Sequence, residues 1–220
     1  IELAPGGSAA LSGQGSLDLE GSITAPAGNV SLTSARNDVI LHGSSKVDAS
    51  GLNMPGEKAL FPGLPVGVTP LDGGVVSLSA KGGSVDIQSG ALIDVSGSEP
   101  IEIITTGGGL DLTLSTATVG SHAGALEVTY REGFTVSSQA SIQGEAEAPG
   151  SRGGELALTR LEHVLSIDSA LFGDFATRGF DSFTFRSQKG LEFKDSFAAV
   201  IPGDLTLDAP LITGVNDTRV

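Results

Sequence analysis

A short pattern of two apolar residues around one exposed residue recurs along most of this chain. Between residues 73 and 97 it occurs three times, as Val76-Ser77-Leu78, Val85-Asp86-Ile87 and Ile93-Asp94-Val95. Such alternation predicts a short β-strand that buries its outer two side chains and exposes the middle one. Small and polar residues fill the gaps and predict tight turns. The pattern therefore predicts many short strands.

The triplets also repeat over a longer period. Residues 28–51 match residues 74–97 without a gap, at a constant offset of 46 (76 − 30 = 46). The matched positions are Val30 with Val76, Leu32 with Leu78, Val39 with Val85, Leu41 with Ile87, Val47 with Ile93, Ala49 with Val95 and Gly51 with Gly97. Further copies are predicted around Leu126, Phe134, Ile142, Leu156, Leu165, Phe183 and Leu191, with less regular copies at 17–23 and 101–114.

Equivalent triplets lie one whole unit apart, which favours a chain wound as a coil over a stack of hairpins. The sequence therefore predicts an all-β fold, a right-handed parallel β-helix of about seven coils with three strands in each. Residues 1–220 are expected to form one β-helix domain. Glycine, 32 of 220 residues, is expected at the corners, where a left-handed backbone is often needed.

Residues 52–72 interrupt this rhythm. They hold four of the ten prolines, and proline cannot donate to a strand ladder, so an inserted loop is predicted near 52–72. Its apolar residues Leu60, Phe61, Leu64 and Val66 either fold back over the rod or form a partner-binding protrusion.

A second irregular region is rich in phenylalanine. Seven of the nine Phe residues lie between 172 and 197. Phe183, Phe185 and Phe193 occupy inward triplet positions, so we expect them to stack in the core. Phe172, Phe175 and Phe180 surround a predicted turn. Structural packing is favoured over an exposed aromatic platform for a ligand.

Charge and composition exclude several function classes. The chain has a net charge of −14, so a phosphate backbone or an anionic membrane would repel it, and no nucleic-acid partner is expected. The chain has no cysteine, which removes disulfides and thiolate metal sites. No apolar run approaches the roughly 20 residues of a membrane helix, so no membrane insertion is expected. The N-terminus begins in mid-pattern, as expected for a piece of a longer chain.

One pair of acidic residues is a candidate for a catalytic or cation-binding site. The 46-residue offset places Asp48 directly above Asp94, where two carboxylates would repel each other and could share a proton or a cation. The next matching residue is Gln143, so solvated surface positions are the favoured interpretation. His42, His122 and His163 occur at unrelated points of the unit. No catalytic, metal or cofactor-binding residue is predicted, and no cofactor.

The phrases GNVSLTSARNDVILHGSSKVDASG, GGVVSLSAKGGSVDIQSGALIDVSG and GFDSFTFRSQKGLEFKDS resemble the repetitive regions of filamentous haemagglutinin-like exoproteins, the large adhesins of Gram-negative two-partner secretion. The resemblance implies a right-handed parallel β-helix, export through an outer-membrane transporter and a secreted or cell-surface location. The family's Asn-Pro-Asn-Leu secretion motif is absent, as expected for an internal fragment. The family has no shared catalytic residues to carry over.

Two functions from different classes follow. The favoured one is a non-enzymatic structural and adhesive rod that presents or mediates attachment to host cells, other bacteria or matrix glycans, through a carbohydrate or protein receptor. The alternative is a polysaccharide-processing enzyme on the same architecture. A cluster of acids and bases on adjacent coils would favour the enzyme, and the sequence offers only the Asp48–Asp94 pair.

Overall fold

A computed structural model describes residues 1–55, 68–106, 114–195 and 200–214, and these are mostly β-strand with one short helix. The elements in chain order are β1 (Ser8–Gly13), β2 (Leu17–Leu19), β3 (Ser22–Thr24), β4 (Asn29–Ser34), β5 (Val39–Leu41), β6 (Lys46–Asp48), β7 (Leu52–Pro55), β8 (Val68–Leu71), β9 (Val75–Ala80), β10 (Val85–Ile87), β11 (Leu92–Asp94), β12 (Ile101–Thr106), β13 (Leu114–Val119), β14 (Ala125–Tyr130), β15 (Phe134–Val136), β16 (Ser141–Gln143), β17 (Gly154–Arg160), β18 (Leu165–Ile167), α1 (Ser169–Ala176), β19 (Phe180–Ser187), β20 (Leu191–Phe193), β21 (Leu205–Asp208) and β22 (Ile212–Gly214).

One sheet runs through the whole described chain. Its seven strands lie in the order β1-β4-β9-β14-β17-β19-β21, and every neighbouring pair is parallel. Each strand of this sheet is the first strand of its repeat unit, and it pairs with the first strand of the next unit. The all-β prediction is thus confirmed in its coarser part: short strands assembled mainly into parallel sheets.

Two further sheets follow the same rule. The second has the order β15-β10-β5-β2 and the third β16-β11-β6-β3. Val39 pairs with Val85, and Val47 pairs with Ile93, so the predicted 46-residue register is confirmed. Register is set so strongly because a one-residue slip would turn every apolar side chain to the other face.

The predicted inward and outward assignment of the triplets is also confirmed. In β10, Val85 and Ile87 are fully buried and Asp86 between them is partly exposed. β5 repeats the pattern with Val39 and Leu41. The core is therefore a set of apolar rows that run across the strands, with one side chain from each successive unit.

Corner glycines are present, but for another reason than the predicted left-handed backbone. A Cβ on Gly28, Gly74 or Gly124 would overlap the backbone carbonyl of the preceding unit, and none of the three has a positive φ. Each of those carbonyls accepts a 3.0 Å bond from the amide that follows the glycine, as Gly28 does from Val75. Close approach of backbones, and not φ, therefore requires glycine here. Gly90, with φ +88°, does fit the prediction.

Two antiparallel hairpins leave the parallel sheets. β7 pairs with β8, inside the predicted insertion, and β12 pairs with β13. The prediction of a less regular coil at 101–114 is therefore wrong, because these residues pair with their own hairpin partner and not with an equivalent strand. Leu60, Phe61, Leu64 and Val66 lie outside the described residues.

The C-terminal part departs from three-strand units. After β18 the chain forms α1 where a third strand would follow, and β18, β20 and β22 form a separate parallel sheet. The predicted turn around Phe172 and Phe175 is thus a helix. Its phenylalanines are buried, and so are four others in the core, which confirms the packing interpretation for Phe172, Phe175, Phe180, Phe183, Phe185 and Phe193. Phe197 lies outside the described residues.

Candidate functional site

The two hairpins leave adjacent units at the same corner. β6 and β11 are parallel neighbours in the third sheet, and each is followed by a hairpin, β7–β8 after the first and β12–β13 after the second. Their bases touch, because Asn53 Nδ2 donates a 2.7 Å hydrogen bond to the Glu99 carbonyl oxygen. The corner therefore combines two projecting hairpins with the edge of a regular sheet.

A groove of about 840 Å³ lies beside these hairpin bases, and we call it the corner groove. Three segments contribute its walls: the base of β7, the stretch that joins β11 to β12, and the chain after β16. The lining residues are Ser50, Gly51, Leu52, Asn53, Asp94, Ser96, Gly97, Ser98, Glu99, Pro100, Gln143, Glu145 and Glu147. The volume is within the range of roughly 300–1,000 Å³ that is usual for ligand sites.

The groove lining is strongly acidic. Among the described residues, the lining contains the carboxylates of Asp94, Glu99, Glu145 and Glu147 and no lysine, arginine or histidine. None of the ion pairs within the described chain involves these four carboxylates. The described part of the groove lining is consequently negatively charged.

Two uncharged groups of lining residues lack hydrogen-bond partners within the part of the chain that the structure describes. These are the hydroxyl of Ser98, a residue only 2% exposed, and the buried amide oxygen of Asn53. A buried polar atom without a partner costs about 1–3 kcal/mol. Both atoms are closed off from solvent, so this cost is internal to the fold.

The predicted Asp48–Asp94 pair is brought together. The two residues are register partners, and Asp94 is in turn the partner of Gln143, as predicted. The pair has a counter-charge of its own, because Lys46 Nζ lies 2.9 Å from Asp48 Oδ2. Lys46 therefore offsets the predicted repulsion between the two carboxylates, and sequence reasoning overlooked this lysine two residues before Asp48.

Each carboxylate of the pair also closes a local turn. Asp48 Oδ1 accepts bonds from the Ser50 amide at 3.1 Å and the Ser50 hydroxyl at 2.7 Å. Asp94 Oδ1 accepts one from the Ser96 amide at 3.0 Å. The Asp-x-Ser spacing, present at both positions, is the sequence signal for this turn.

Ionisation of Asp48 is coupled to these contacts. Burial acts to raise the pKa of Asp48, but hydrogen bonds from Lys46 and Ser50 outweigh it, so that the pKa lies below its ordinary value. The hydrogen bond to Asp48 raises the pKa of Lys46, with further support from the charge of Asp94. Asp48 and Lys46 thus form an ion pair that neutralises both of their charges. The carboxylates of the groove lining keep theirs.

The three histidines stay apart, as their sequence positions predict. His42 Nδ1 lies 3.1 Å from Gln88 Oε1, and its Nε2 lies 3.4 Å from Asp18 Oδ1. His122 Nδ1 accepts a 2.8 Å bond from the Arg152 amide. Within the described ranges, no three His, Asp or Glu side chains are grouped so as to hold a metal ion. No helix among the described residues is long and apolar enough to cross a membrane.

Comparison with protein families, curated proteins and solved structures finds no match for this chain. The function must therefore be argued from the strand register, the hairpins and the corner groove. Sequence reasoning did not identify the groove residues Asn53, Ser98, Glu145 and Glu147. The only local signal was the acidic Gly-Glu-Ala-Glu-Ala-Pro-Gly stretch, residues 144–150, directly after β16.

Proposed function

We propose that this chain is a right-handed parallel β-helix that serves as a structural and adhesive rod segment of a large exoprotein. The observation that carries the proposal is the seven-stranded parallel sheet in which each strand pairs with the equivalent strand of the next unit. Parallel stacking of equivalent strands is the basis of solenoids, in which each repeat contacts only its neighbours. Right-handedness is supported by the general preference of parallel crossovers.

The two projecting hairpins support an adhesive role for the chain in addition to that of a spacer. A rod that only spans distance needs no projections, whereas this chain sends out two hairpins from adjacent units, with a polar groove at their bases. Loops on a rigid repeat scaffold are the usual carriers of binding. We propose attachment to a carbohydrate or protein receptor on host cells, other bacteria or matrix.

The resemblance to filamentous haemagglutinin-like repeats supports the proposed setting. We propose that the chain is part of a Gram-negative exoprotein that passes an outer-membrane transporter and remains secreted or at the cell surface. In this proposal the chain has no catalytic role.

Adhesion of the intact chain tests the proposal directly. Beads coated with it should bind cultured epithelial cells or bacteria several-fold better than beads coated with a soluble protein of similar net charge. Equal adhesion by a chain with native circular dichroism would contradict the adhesive role.

The polysaccharide-processing alternative has its own readout. Four carboxylates in one groove are the observation that favours it, because glycoside hydrolysis uses pairs of carboxylates. Incubation with a panel of polysaccharides should release no new reducing ends if the chain is a rod. Catalytic release that disappears in a Glu145→Gln variant would establish the enzyme instead.

A further inference from the structure

We infer that a second groove, on the outer face of the first sheet, binds a chain of uronic-acid sugars. Its volume is about 590 Å³, which is within the range usual for ligand sites. We call it the sheet groove, and its lining includes His122, Arg152, Glu155, Ser182, Arg186 and Asp204. The inference rests on the proposed function and deepens it, because it assigns the adhesive contact to one site and one ligand class.

The sheet groove crosses five consecutive strands of the first sheet. Its lining begins at Val75 in β9 and continues through Ala125 in β14, Glu155 in β17 and Ser182 in β19 to Thr206 in β21. Neighbouring strands lie about 4.8 Å apart, so these five strands span about 19 Å along the stack of repeat units. A groove of this length fits a run of several sugars better than a single terminal sugar.

A β-bulge lies at the sheet groove. Gly154 pairs with Phe180, but Glu155 pairs with Ser182, so Asp181 is an extra residue in β19. Among the parallel strand pairs that the structure describes, only β17 with β19 has such a shift. Bulges are frequent at sheet edges and beside functional sites. Because β19 lies between β17 and β21 and is not an edge strand, the bulge points to a functional site independently of the charges in the groove.

Hydrogen bonds hold the bulge to the neighbouring units. Asp181 Oδ2 accepts a 2.8 Å bond from the Gly153 amide, and Asp181 Oδ1 accepts a 2.9 Å bond from the Ser182 hydroxyl. Ser182 Oγ in turn accepts a 3.2 Å bond from the Asp204 amide. The Asp181 carboxylate is thus used within the fold, and it fixes the position of Ser182 in the groove lining.

Three exposed residues of the lining have hydrogen-bond donors that a ligand can use. The Arg152 guanidinium takes part in none of the ion pairs between described residues. The Arg186 guanidinium lies 3.7 Å from Asp208, and both side chains are more than half exposed. His122 Nδ1 accepts a 2.8 Å bond from the Arg152 amide. The neutral His122 ring therefore has its proton on Nε2 and can donate from there.

The two arginines select a carboxylate as the charged group of the ligand. A guanidinium can bond a carboxylate with two parallel N–H donors, and charge-assisted hydrogen bonds are about twice as strong as neutral ones. Arg152 and Arg186 are two of only 12 Lys and Arg residues in a chain with 26 Asp and Glu. Their presence in one groove is therefore a local exception to the acidic character of the chain.

The acids of the same groove limit the charge density of the ligand. Glu155 and Asp204 lie in the lining with the arginines, and they would repel a densely charged polymer such as duplex DNA, with one charge per about 1.7 Å. A uronic-acid chain has one carboxylate on each sugar and hydroxyl groups between the carboxylates. Its hydroxyls can donate to Asp204 and to Glu155, whose Oε1 already accepts a 3.0 Å bond from Thr184 Oγ1.

The apolar content of the sheet groove disfavours a protein partner. Protein interfaces depend on a few buried aromatic or large apolar anchors, and the largest apolar residue among the described lining residues is Val75. An acidic peptide would have charge attraction without an anchor and without hydroxyl groups for Glu155 and Asp204. A uronic-acid chain needs no such anchor, because hydrogen bonds along the groove recognise it.

Titration calorimetry with three oligomers of matched length tests the inference. Galacturonate oligomers should bind with a measurable Kd. Their fully methyl-esterified counterparts should bind at least about tenfold more weakly, because the charge-assisted bonds are lost. Oligoaspartate should also bind at least about tenfold more weakly, because it lacks hydroxyl groups. Equal binding of the esterified oligomer or of oligoaspartate, or no binding of the galacturonate oligomers, would overturn the inference.

A charge variant of the groove has a matched control. Arg152→Gln removes an exposed lining charge and should weaken galacturonate binding at least about tenfold. Arg36→Gln removes an exposed arginine outside the groove and should change the Kd less than about twofold. Both variants should keep the native circular dichroism. Equal effects of the two variants would show that overall charge, and not the groove, determines binding, and would contradict the inference.

A conservative variant separates charge from geometry at the same position. Arg152→Lys keeps the positive charge but loses the planar pair of donors that bonds a carboxylate bidentately. Its galacturonate Kd should lie between those of the native chain and Arg152→Gln. A Kd equal to that of the native chain would show that Arg152 acts only as a point charge and would overturn its assignment as a carboxylate-binding residue.

The two proposals fail in different ways. A chain that adheres to cells but binds no galacturonate oligomer supports the adhesive rod and overturns the assignment of the sheet groove. A chain that binds the oligomer through Arg152 but adheres to no cell or matrix supports the sheet groove and overturns the adhesive role.

Discussion

The molecule fills its core in two ways along a single continuous sheet. Residues 8–143, the aliphatic region, stack three short strands per unit around rows of Val, Leu and Ile. Residues 154–214, the aromatic region, keep the first sheet but replace one third strand by α1 and fill the interior with phenylalanine. The register of the first sheet is thus maintained, while the core side chains that pack behind it change from aliphatic to aromatic.

The junction between the regions explains how the change is accommodated. Phe175 of α1 packs on Phe134 with ring centroids 6.5 Å apart, and Phe134 packs on Tyr130 at 6.0 Å. Burial raises the pKa of the Tyr130 hydroxyl to about 12, consistent with its inclusion in this aromatic stack. Aromatic packing thus bridges the two regions where the second and third sheets of the aliphatic region end.

The largest expected effects come from charges placed in the two cores. Val85→Asp and Leu191→Asp each put a carboxylate at a fully buried position, and each should cost about 3–5 kcal/mol. Only the first sheet is continuous between the two regions, so hydrogen exchange should differ. Leu191→Asp should leave β2, β5 and β10 protected, whereas Val85→Asp should expose them. Identical exchange patterns would mean that the two regions unfold as one unit. As a control, Asp86→Ala should stay within about 0.5 kcal/mol.

Swapping core residues between the regions should reveal their different interiors. Leu78 and Phe185 belong to one inward row of the first sheet, connected through Val128 and Leu158. Leu78→Phe should overpack the aliphatic region, and Phe185→Leu should leave a cavity beside Phe183. Each should lower the free energy of unfolding in a denaturant titration by about 1–3 kcal/mol. If either swap is neutral, the interiors do not differ as described.

Gly74 of the aliphatic region should tolerate a side chain less well than Gly154 of the aromatic region. A Cβ on Gly74 would overlap the Gly28 backbone, whereas on Gly154 it would lie 3.1 Å from the Phe180 ring and 3.2 Å from the Gly124 carbonyl oxygen. Thermal melts should show that Gly74→Ala costs about 1–3 kcal/mol and Gly154→Ala less. Gly15→Ala, which has open space around its Cβ, should cost no more than about 0.5 kcal/mol.

Surface ion pairs should differ least between the regions. Asp48 is 15% exposed beside Lys46, whereas Asp208 of the aromatic region is 71% exposed at 3.7 Å from Arg186. Asp48→Asn should cost at most about 1 kcal/mol, and Asp208→Asn should have no measurable effect. A larger loss for Asp208→Asn would reverse the comparison.

The Asp48 contribution should also depend on pH with a defined sign. Its pKa is lowered from the ordinary 3.8 in the folded chain, so the stabilisation is fully present above that value and is lost as the pH falls through the folded-state value. Denaturant midpoints of the native chain and the Asp48→Asn variant should therefore converge only below about pH 3.8. A difference that grows on acidification would contradict the assignment.

The strand register could be predicted from sequence because burial of alternate residues fixes it. Val30, Val76 and Leu126 occupy one inward row, and their spacing alone identified them as equivalents. The same alternation at Ile101 and Ile103 led to the wrong prediction of a further coil, because alternation does not distinguish parallel from antiparallel partners. Pairing is a long-range property that short apolar patterns do not contain.

Neither helix α1 nor the corner groove could be predicted from the sequence, for related reasons. The spacing of Phe172 and Phe175 fits a helical face, but one turn with a glycine between them gives little periodicity to detect. The groove joins residues from three separate units, such as Asn53, Ser98 and Glu147. No local pattern brings these together, and only the stacking of the units places them at one corner.

The parallel stacking of equivalent strands is the central claim, and thiol cross-linking tests it most directly in a chain without cysteine. Asn29 pairs with Val75, and Thr33 pairs with Ser79. Neighbouring strands lie about 4.8 Å apart, within the range of roughly 4.4–6.8 Å between Cα atoms that a disulfide spans. Parallel stacking predicts that Asn29→Cys with Val75→Cys, and Thr33→Cys with Ser79→Cys, each oxidise to an intramolecular disulfide, while Asn29→Cys with Ser79→Cys does not. Cross-linking of this third pair, with failure of the first two, would show antiparallel strands and contradict the account.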